Sequence, residues 1–312
     1  MEYRFLGNTN IKVSRLCFGT LTIGPLQRNL SIAEGSELIR EALAAGVNFL
    51  DTAQLYRNYA YIREALRHWP HDVVVATKSY AYTQEMMRDA LEEARRELDL
   101  DVIPIFMLHE QESEHTIRGH WPALEYLLNA KVKGLVKAVG ISTHYVQGVL
   151  GACKYPEIEI ISPLINLTGV GIQGGTRDDM LHAVQRAAAL GKGVYAMKPL
   201  GGGHLIAKQA AAFQFLLDQP AIDAIAVGMK NIGELRRNLA YFNGEPVEML
   251  NLEQIDRRLH IDDWCQLCGR CVEACPSHAL TKTETEIVVD RDKCVFCGYC
   301  GAACPEFAIK VI

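Results

Sequence analysis

Two cysteine runs near the C-terminal end constrain the fold of this chain more than any other feature. The first begins at Cys265 and reads C-Q-L-C-G-R-C-V-E-A-C-P; the second begins at Cys294 and reads C-V-F-C-G-Y-C-G-A-A-C-P. Both have the spacing C-x2-C-x2-C-x3-C-P, and they contain eight of the ten cysteines. Three thiolates in one short loop can bind one face of an iron–sulfur cube. The spacing therefore predicts a small domain built around [4Fe–4S] clusters.

The fourth cysteine of each run predicts that the two halves of this domain are tied together. In two-cluster ferredoxins with this spacing, the fourth cysteine ligates the other cluster. We therefore expect two clusters, the first held by Cys265, Cys268, Cys271 and Cys304 and the second by Cys294, Cys297, Cys300 and Cys275. Zinc is the main alternative, although zinc ribbons use paired C-x2-C knuckles with four ligands per ion. Disulfides fit less well, since nothing in the sequence indicates secretion.

Composition narrows the classes of function. The chain has 312 residues, a formal net charge of −5 and a sequence pI near 6.1. These values lack the excess of positive charge that is typical of proteins that bind nucleic acid. The start has no basic stretch followed by an apolar one, and no apolar run is long enough to span a bilayer. We therefore expect a cytoplasmic protein with no membrane partner, large enough for one main domain and a smaller one.

The first 240 residues alternate between short apolar runs and amphipathic stretches. Eight such alternations predict a (β/α)8 barrel, an α/β fold of the TIM type. The predicted strands are Arg15–Phe18, Val47–Leu50, Val73–Thr77, Val102–Leu108, Val136–Ile141, Ile158–Ile165, Val194–Met197 and Ala224–Val227. A doubly wound sheet is the alternative, but the segment from Gly19 to Gly24 lacks the G-x-G-x-x-G pattern expected after its first strand.

A break in the last helical stretch marks the domain boundary. The segment Asn243-Gly244-Glu245-Pro246 interrupts that stretch, so we place the barrel at residues 1–245 and the cluster domain at residues 246–312. Residues 246–263 are predicted to form a helical linker that leads into the first cysteine run. The cluster domain is predicted to be a small α+β unit. We expect it to pack on the barrel near its mouth, because a tethered module has a high effective concentration there.

Ionisable residues follow three consecutive predicted strands. Asp51 and Tyr56 follow the second strand, Lys78 ends the third, and His109 ends the fourth. Barrels carry their chemistry at these strand ends. A neighbouring Lys⁺ favours phenolate, so we expect Lys78 to lower the pKa of Tyr56 from about 10 and to make it a better proton donor. Asp51 would hold Lys78 in place, and His109 would position a carbonyl oxygen.

Several motifs in this region resemble those of the aldo-keto reductase family across roughly residues 1–240. They are Phe49-Leu50-Asp51-Thr52-Ala53 with Tyr56, the V-A-T-K that ends at Lys78, the strand that ends at His109, Trp121 with Leu124 and Glu125, Val139-Gly140-Ile141-Ser142, and Pro199-Leu200-Gly201. The resemblance implies a catalytic tetrad of Asp51, Tyr56, Lys78 and His109. It also implies hydride transfer from a nicotinamide to a carbonyl group, with Tyr56 as the acid.

The same resemblance implies a cofactor lying over the barrel mouth. The residues it implies for binding that cofactor are Gly19, Thr20, Ser142, Thr143, Asn166, Met197, Lys198, Pro199, Leu200, Gly201, Gly228, Lys230, Glu234 and Asn238. Thr143 stands where the family has Asn, Met197 where it has a stacking aromatic residue, and Glu234 near its phosphate-binding Arg. Lys230, Arg236 or Arg237 could compensate. NADP(H) is the family default, and the sequence leaves NAD(H) open.

The sequence predicts an oxidoreductase that reduces a small-molecule carbonyl compound or oxidises the alcohol. It raises a difficulty, because a nicotinamide passes two electrons as hydride whereas a [4Fe–4S] cluster passes one. Three accounts remain. The clusters are structural and the barrel is an ordinary reductase, or the clusters feed electrons to an unrecognised flavin or to the substrate. In the third account the chain is a ferredoxin-linked electron-transfer protein, with a redox partner protein, whose barrel holds a flavin or only senses the redox state of nicotinamide. FMN could bridge the two chemistries, but the sequence shows no flavin signature. We favour a reductase whose clusters carry electrons.

Overall fold

The structure, a computed structural model, describes residues 1–245, 258–275, 277–294 and 298–311. The chain begins with an antiparallel hairpin that pairs Tyr3–Phe5 (β1) with Lys12–Ser14 (β2). Gly7 lies in the turn at φ 49°, and a Cβ there would lie 2.4 Å from backbone atoms of the Gly191–Gly193 segment. The hairpin thus lies against the amino-terminal end of the strand that begins at Gly193.

Eight parallel strands close into a barrel and confirm the predicted (β/α)8 fold. Their order around the barrel is β10-β3-β4-β5-β6-β7-β8-β9. The doubly wound alternative is wrong, because β10 pairs with β3 and leaves no open edge. The strands are Leu16–Gly19 (β3), Phe49–Asp51 (β4), Val74–Ser79 (β5), Ile103–Leu108 (β6), Val136–Thr143 (β7), Ile160–Pro163 (β8), Gly193–Ala196 (β9) and Ala224–Gly228 (β10).

Helices surround the barrel, and a second apolar layer fills the space between them and the strands. Ser31 with Glu34 and Thr176 with Asp179 form capping boxes that begin two of these helices. Within the described ranges, no helix has the length and apolar character needed to cross a bilayer. The helices are Ile32–Ala44 (α1), Tyr59–Leu66 (α2), Gln84–Leu98 (α3), Glu114–Gly119 (α4), Trp121–Val132 (α5), Val146–Ala152 (α6), Arg177–Ala189 (α7), Gln209–Leu217 (α8) and Ile232–Asn243 (α9).

The described part of the C-terminal region, residues 258–311, forms a small unit that we call the cluster module. Its outer strands Leu259–Ile261 (β11) and Ile309–Val311 (β14) pair antiparallel, as do Leu280–Lys282 (β12) and Ile287–Val289 (β13). One short helix follows each cysteine loop, Arg270–Glu273 (α10) and Tyr299–Ala302 (α11). The arrangement agrees with the predicted α+β domain.

The predicted linker helix over residues 246–263 is wrong at its C-terminal end. Residues 246–257 lie outside the described residues, and β11 is a strand because its backbone pairs with β14. The next residue, Asp262, forms a buried ion pair with Lys310 of β14. β14 lies some 50 residues further along the chain. Pairing with it outweighs the local helical pattern of the residues in β11.

The cluster module packs against the carboxyl-terminal end of the barrel. Gln173 of the barrel donates a hydrogen bond to the carbonyl of Pro305 at 2.7 Å, and Arg258 donates to the carbonyl of Gln27. The loop after β9 approaches β14 so closely that a Cβ on Gly203 would lie 1.9 Å from the carbonyl oxygen of Val311. The module therefore lies at the end of the barrel where the predicted catalytic residues are.

Candidate active site

The four predicted catalytic residues lie at the carboxyl ends of neighbouring barrel strands. Asp51 ends β4, Lys78 lies in β5, and His109 directly follows β6. Tyr56 ends the short 3-10 turn Gln54–Tyr56 that follows β4. Because β4, β5 and β6 are parallel and adjacent, these side chains are brought to one end of the barrel.

Lys78 and Asp51 form a buried ion pair. The Lys78 Nζ lies 2.9 Å from both carboxylate oxygens of Asp51, and the lysine side chain is only 1% exposed. The ammonium also donates a hydrogen bond to the carbonyl of Thr52 at 2.7 Å. A buried charge with these partners is held in one place, since removing any of them would leave an unpaired charge.

Tyr195 completes this network, and the sequence analysis missed it. Its hydroxyl donates a hydrogen bond to Asp51 Oδ1 at 2.8 Å from within β9, which β10 and β3 separate from β4 around the barrel. Tyr195 is fully buried. A buried tyrosine hydroxyl normally has a partner, so a tyrosine inside the apolar run of a barrel strand was the available signal.

The aromatic ring of Tyr56 lies between Lys78 and His109. The Lys78 Nζ is 5.0 Å from the ring centroid, and the His109 ring centroid is 6.0 Å away. Burial raises the pKa of Tyr56 well above its ordinary value, and Asp51, Glu110 and Asp262 raise it further. The expected lowering of this pKa is therefore wrong in this structure, because burial of the phenol is the largest influence on it.

His109 is held neutral at this end of the barrel. Burial lowers its pKa well below the ordinary value, and the positive charges of Lys78 and Lys198 lower it further. Its Nδ1 is buried and has no hydrogen-bond partner among the described residues, and the ring stacks on Tyr80 with centroids 4.4 Å apart. Tyr80 in turn donates a hydrogen bond to Glu110 at 2.6 Å.

A cleft opens beside Tyr56 and runs across the barrel end; we call it the nucleotide cleft. Its empty space, counted to the open mouth, is about 1230 Å³. Nine of the residues predicted to bind the cofactor line it, together with Asp51 and Tyr56: Gly19, Met197, Lys198, Pro199, Leu200, Gly228, Lys230, Glu234 and Asn238. Arg237 also lines this cleft, whereas Arg236 lies in a separate surface groove.

Five predicted cofactor residues do not line this cleft. Thr20, Ser142 and Thr143 are buried and hydrogen bond to Asp51 O, Glu110 N and the Tyr145 backbone respectively. Asn166 donates to the carbonyl of Val170 at 2.9 Å, and Gly201 is buried beneath the loop. Thr20, Ser142, Thr143 and Asn166 therefore stabilise the backbone around the cleft in this structure.

The cluster module contributes to the nucleotide cleft. Phe307, Lys310 and Val311 line it together with barrel residues. The Phe307 ring packs against Gly171 and Gly202, where a Cβ would lie 2.6 and 2.8 Å from the ring. Nothing in the barrel sequence could have indicated this contact, because it depends on how the two domains pack.

The four cysteines predicted to bind the first cluster surround one small cavity. Cys265, Cys268, Cys271 and Cys304 line it, so the fourth cysteine of the second run joins three from the first. Burial raises the pKa of Cys271, and the neighbouring Cys304, Cys265 and Cys268 raise it further. Four thiols that face one space, with the backbone N–H of Ala308 donating to Cys304 Sγ at 3.3 Å, fit the requirements of a cluster.

The second set is described in part. Cys275 and Cys300 are buried and Cys294 is half-buried, while Cys297 lies outside the described residues, as do Pro276 and Phe296. In the described parts of the chain, no three His, Cys, Asp or Glu side chains are grouped to hold a single metal ion.

Comparisons with known proteins agree with both domains. Residues 15–211 match the model of the aldo/keto reductase family, and residues 264–308 match that of the 4Fe-4S dicluster domain. L-galactose dehydrogenase from Arabidopsis thaliana is 24% identical over 299 residues, covering 81% of this chain and 91% of that protein. The 6-dehydroglucose reductase of Novosphingobium aromaticivorans is 27% identical over 248 residues, covering 72% and 76%.

Solved structures share the fold. A Pseudomonas aeruginosa protein classed with the aldo-keto reductases is 26% identical, with a TM-score of 0.68 over 78% of this chain and 94% of that one. An aldo-keto reductase from Bacillus halodurans, 20% identical, matches with a TM-score of 0.66 over 79% and 92%. The chain is an oxidoreductase that belongs to the aldo/keto reductase family and carries a 4Fe-4S dicluster domain at its C-terminal end.

Proposed function

We propose that this oxidoreductase reduces the carbonyl group of a small molecule to an alcohol, with Tyr56 as the proton donor. The observation that carries the proposal is the placement of Tyr56 between the Lys78–Asp51 pair and His109, at the edge of the nucleotide cleft. A nicotinamide dinucleotide bound in this cleft supplies hydride. The chain's own residues then have to hold the carbonyl group and deliver one proton to its oxygen.

The raised pKa of Tyr56 keeps the phenol protonated at neutral pH but makes it a weaker acid. Proton transfer is still favourable, because the developing alkoxide is a stronger base than the phenolate that Lys78 stabilises. Once the proton has moved, the phenolate lies beside the Lys78 ammonium, which stabilises the new negative charge. Asp51 and Tyr195 keep that ammonium in position.

His109 serves as a neutral hydrogen-bond donor to the substrate oxygen. Its lowered pKa leaves the imidazole uncharged, and a neutral imidazole carries one N–H. It therefore orients the carbonyl group towards Tyr56 without competing with it as an acid.

We infer that the preferred dinucleotide is NADP(H), with NAD(H) as the alternative. Arg237 is only 8% exposed, lines the cleft, and has a buried Nε without a hydrogen-bond partner. A buried guanidinium N–H without a partner is costly, and the 2′-phosphate of NADP would supply the missing acceptor. Lys230 lies in the same part of the cleft, with its Nζ 3.7 Å from Glu234.

The Tyr56→Phe variant tests the catalytic assignment. Losing a general acid commonly lowers turnover by about 10²- to 10⁴-fold, so we expect a loss of that order in carbonyl reduction with an unchanged dinucleotide Kd. Fluorescence titration with NADPH and with NADH measures that Kd and compares the two nucleotides. Turnover equal to that of the wild type would contradict the role of Tyr56, and tighter binding of NADH would contradict the choice of NADP(H).

We also propose that the cluster module holds two [4Fe–4S] clusters that carry electrons. Cys265, Cys268, Cys271 and Cys304 would bind the first; Cys294, Cys297, Cys300 and Cys275 would bind the second. The shared cavity of the first four cysteines supports this division. An electron-carrying role is supported by Phe307, which follows Cys304 closely in the chain and lines the nucleotide cleft.

A further inference from the structure

Lys198 is a cleft residue that the proposed reduction does not use. It follows β9 in a left-handed conformation, with φ 57°, and is half-buried. Its Nζ lies 3.0 Å from His144 Nε2 and 4.3 Å from the centroid of the Phe307 ring. No carboxylate of the described residues lies within 4.0 Å of this ammonium. Lys198 also lines the nucleotide cleft, so an anion bound in the cleft can approach this ammonium.

The charged groups around Lys198 are largely committed to other partners. Asp262 is paired with Lys310, and Glu110 accepts a hydrogen bond from Tyr80 and lies 3.5 Å from His144. Burial, together with the charges of Lys310 and Lys78, lowers the pKa of Lys198 to about 7, although Glu110 and Asp262 act to raise it. Burial also lowers the pKa of His144 well below its ordinary value, so its imidazole is neutral.

We propose that Lys198 binds an anionic group of the substrate, so that the carbonyl compound reduced here is a small oxo acid or another carboxylate. This inference rests on the proposed function and names its class of substrate. Lys198 lies close enough to influence His109 and Lys78 electrostatically, which places its charge towards the reacting end of the cleft. The pyrophosphate of the dinucleotide is the competing source of an anion, and the experiment below separates the two.

The ring of Phe307 gives this subsite its floor. It packs beneath the Lys198 ammonium and comes from the cluster module, so both domains build the subsite. A carboxylate beside the ammonium would favour its charged form. In the free protein Lys198 loses its proton as the pH rises through about 7. The affinity for an anionic substrate should therefore fall above pH 7, whereas that for a neutral carbonyl compound should not follow this titration.

The experiment compares each aldehyde acid with its uncharged methyl ester. We would use 4-carboxybenzaldehyde and succinic semialdehyde, which differ in the spacing between carbonyl and carboxylate, on the full-length protein with its clusters in place. Hydrogen bonds to charged groups contribute enough that Lys198→Met should raise KM for the preferred acid roughly 10- to 100-fold. The KM for the methyl ester of that acid and the Kd of NADPH should each change by less than about threefold.

Two further variants sharpen the comparison. Lys198→Arg keeps a charge at all accessible pH values, so the preference for the acid should persist above pH 8. Lys208→Met removes an exposed lysine from the 3-10 turn Ile206–Lys208, on the same loop, and should behave as the wild type. Calorimetry with benzoate and benzamide, neither of which can be reduced, repeats the test without turnover. Lys198→Met should weaken the binding of benzoate and leave the binding of benzamide unchanged.

Three outcomes would overturn the inference. The first is no preference of the wild type for either acid over its ester. The second is an equal effect of Lys198→Met on acid, ester and NADPH binding, which would assign Lys198 to the dinucleotide. The third is benzoate binding that is the same in wild type and variant. Failure of the proposed function is a different result, since no aldehyde would then be reduced although benzoate binding still reported on Lys198.

Discussion

At the scale of single residues, Cys275 is the residue that, under the proposed ligation, would join the two halves of the cluster module. Its Sγ accepts a hydrogen bond from the backbone N–H of Ala279 at 3.3 Å and lies 3.5 Å from Ser277 Oγ. Donors that face sulfur in this way stabilise a metal-bound thiolate. Cys275 belongs to the first run, yet that run already shares its cavity with Cys304. Under the proposed ligation, Cys275 would therefore bind the second cluster.

We predict that Cys275→Ala damages the cluster bound by the second cysteine run and spares the one bound by the first. Paramagnetic resonance of the dithionite-reduced protein should show one cluster signal in place of two interacting ones. Cys153→Ala is the matched control, because Cys153 is a half-buried cysteine in the barrel. Loss of the cluster held by Cys265, Cys268 and Cys271 instead would contradict the crossed ligation.

Residues of the active site differ in how well the sequence could identify them. Asp51, Lys78 and His109 could be placed because each ends an apolar run, and parallel strand ends must meet. Tyr195 could not be placed in this way, because it lies inside such a run and its hydroxyl reaches Asp51 from another strand, β9. The pKa of Tyr56 was predicted with the wrong sign because its burial was not visible in the sequence.

At the scale of elements, the contact between the glycine loop and the last strand holds the module on the barrel. Gly201, Gly202 and Gly203 have φ values of 55°, 63° and 100°, a left-handed conformation that favours glycine. Two of these glycines make room for the module, Gly202 for the Phe307 ring and Gly203 for the backbone of β14. The same loop leads into α8, which begins at Gln209.

We predict that Gly203→Ala loosens the cluster module. Its Cβ would lie 1.9 Å from the Val311 carbonyl oxygen, and overpacking of this kind costs about 1–3 kcal/mol. That cost adds to the roughly 1–2 kcal/mol of a left-handed non-glycine residue. Thermal unfolding measures the total loss of stability, and hydrogen exchange of the β14 amides shows whether that loss is located in this strand.

Gly134→Ala is the control for backbone strain alone. Gly134 has φ 75° with nothing within 4 Å of a Cβ, so alanine there meets the conformational cost without a clash. We expect Gly203→Ala to be clearly less stable than Gly134→Ala and to exchange faster in β14. Equal stability and exchange in the two variants would mean that this contact does not hold the module.

The barrel strands and the docking contact also differ in what the sequence could reveal. All eight strands were found close to their observed positions, because each is an apolar run bounded by polar or glycine residues. The strand β11 was mistaken for the end of a helix, since its partner β14 is distant in the chain. Packing between domains leaves no such local pattern, so the position of Phe307 in the cleft could not be predicted.

At the scale of the whole molecule, one cleft is shared by two redox domains. Its walls include Tyr56 and Met197 from the barrel and Phe307 from the module, and Phe307 N donates to the carbonyl of the predicted cluster ligand Cys304 at 3.2 Å. A nicotinamide releases two electrons, and two clusters that each accept one electron can take both. Direct transfer passes through a nicotinamide radical, whereas a flavin handles one and two electrons alike.

We predict that NADPH, added without oxygen or carbonyl substrate, bleaches the visible absorption of the clusters as dithionite does. The reason is the short path from the cleft through Phe307 to Cys304, and Phe307→Leu should slow bleaching by NADPH while leaving bleaching by dithionite unchanged. An acid extract examined for flavin fluorescence decides whether a third cofactor carries the electrons. If the absorption stays constant while NADPH is consumed only with a carbonyl compound, the clusters are structural, and the shared cleft serves the binding of substrate alone.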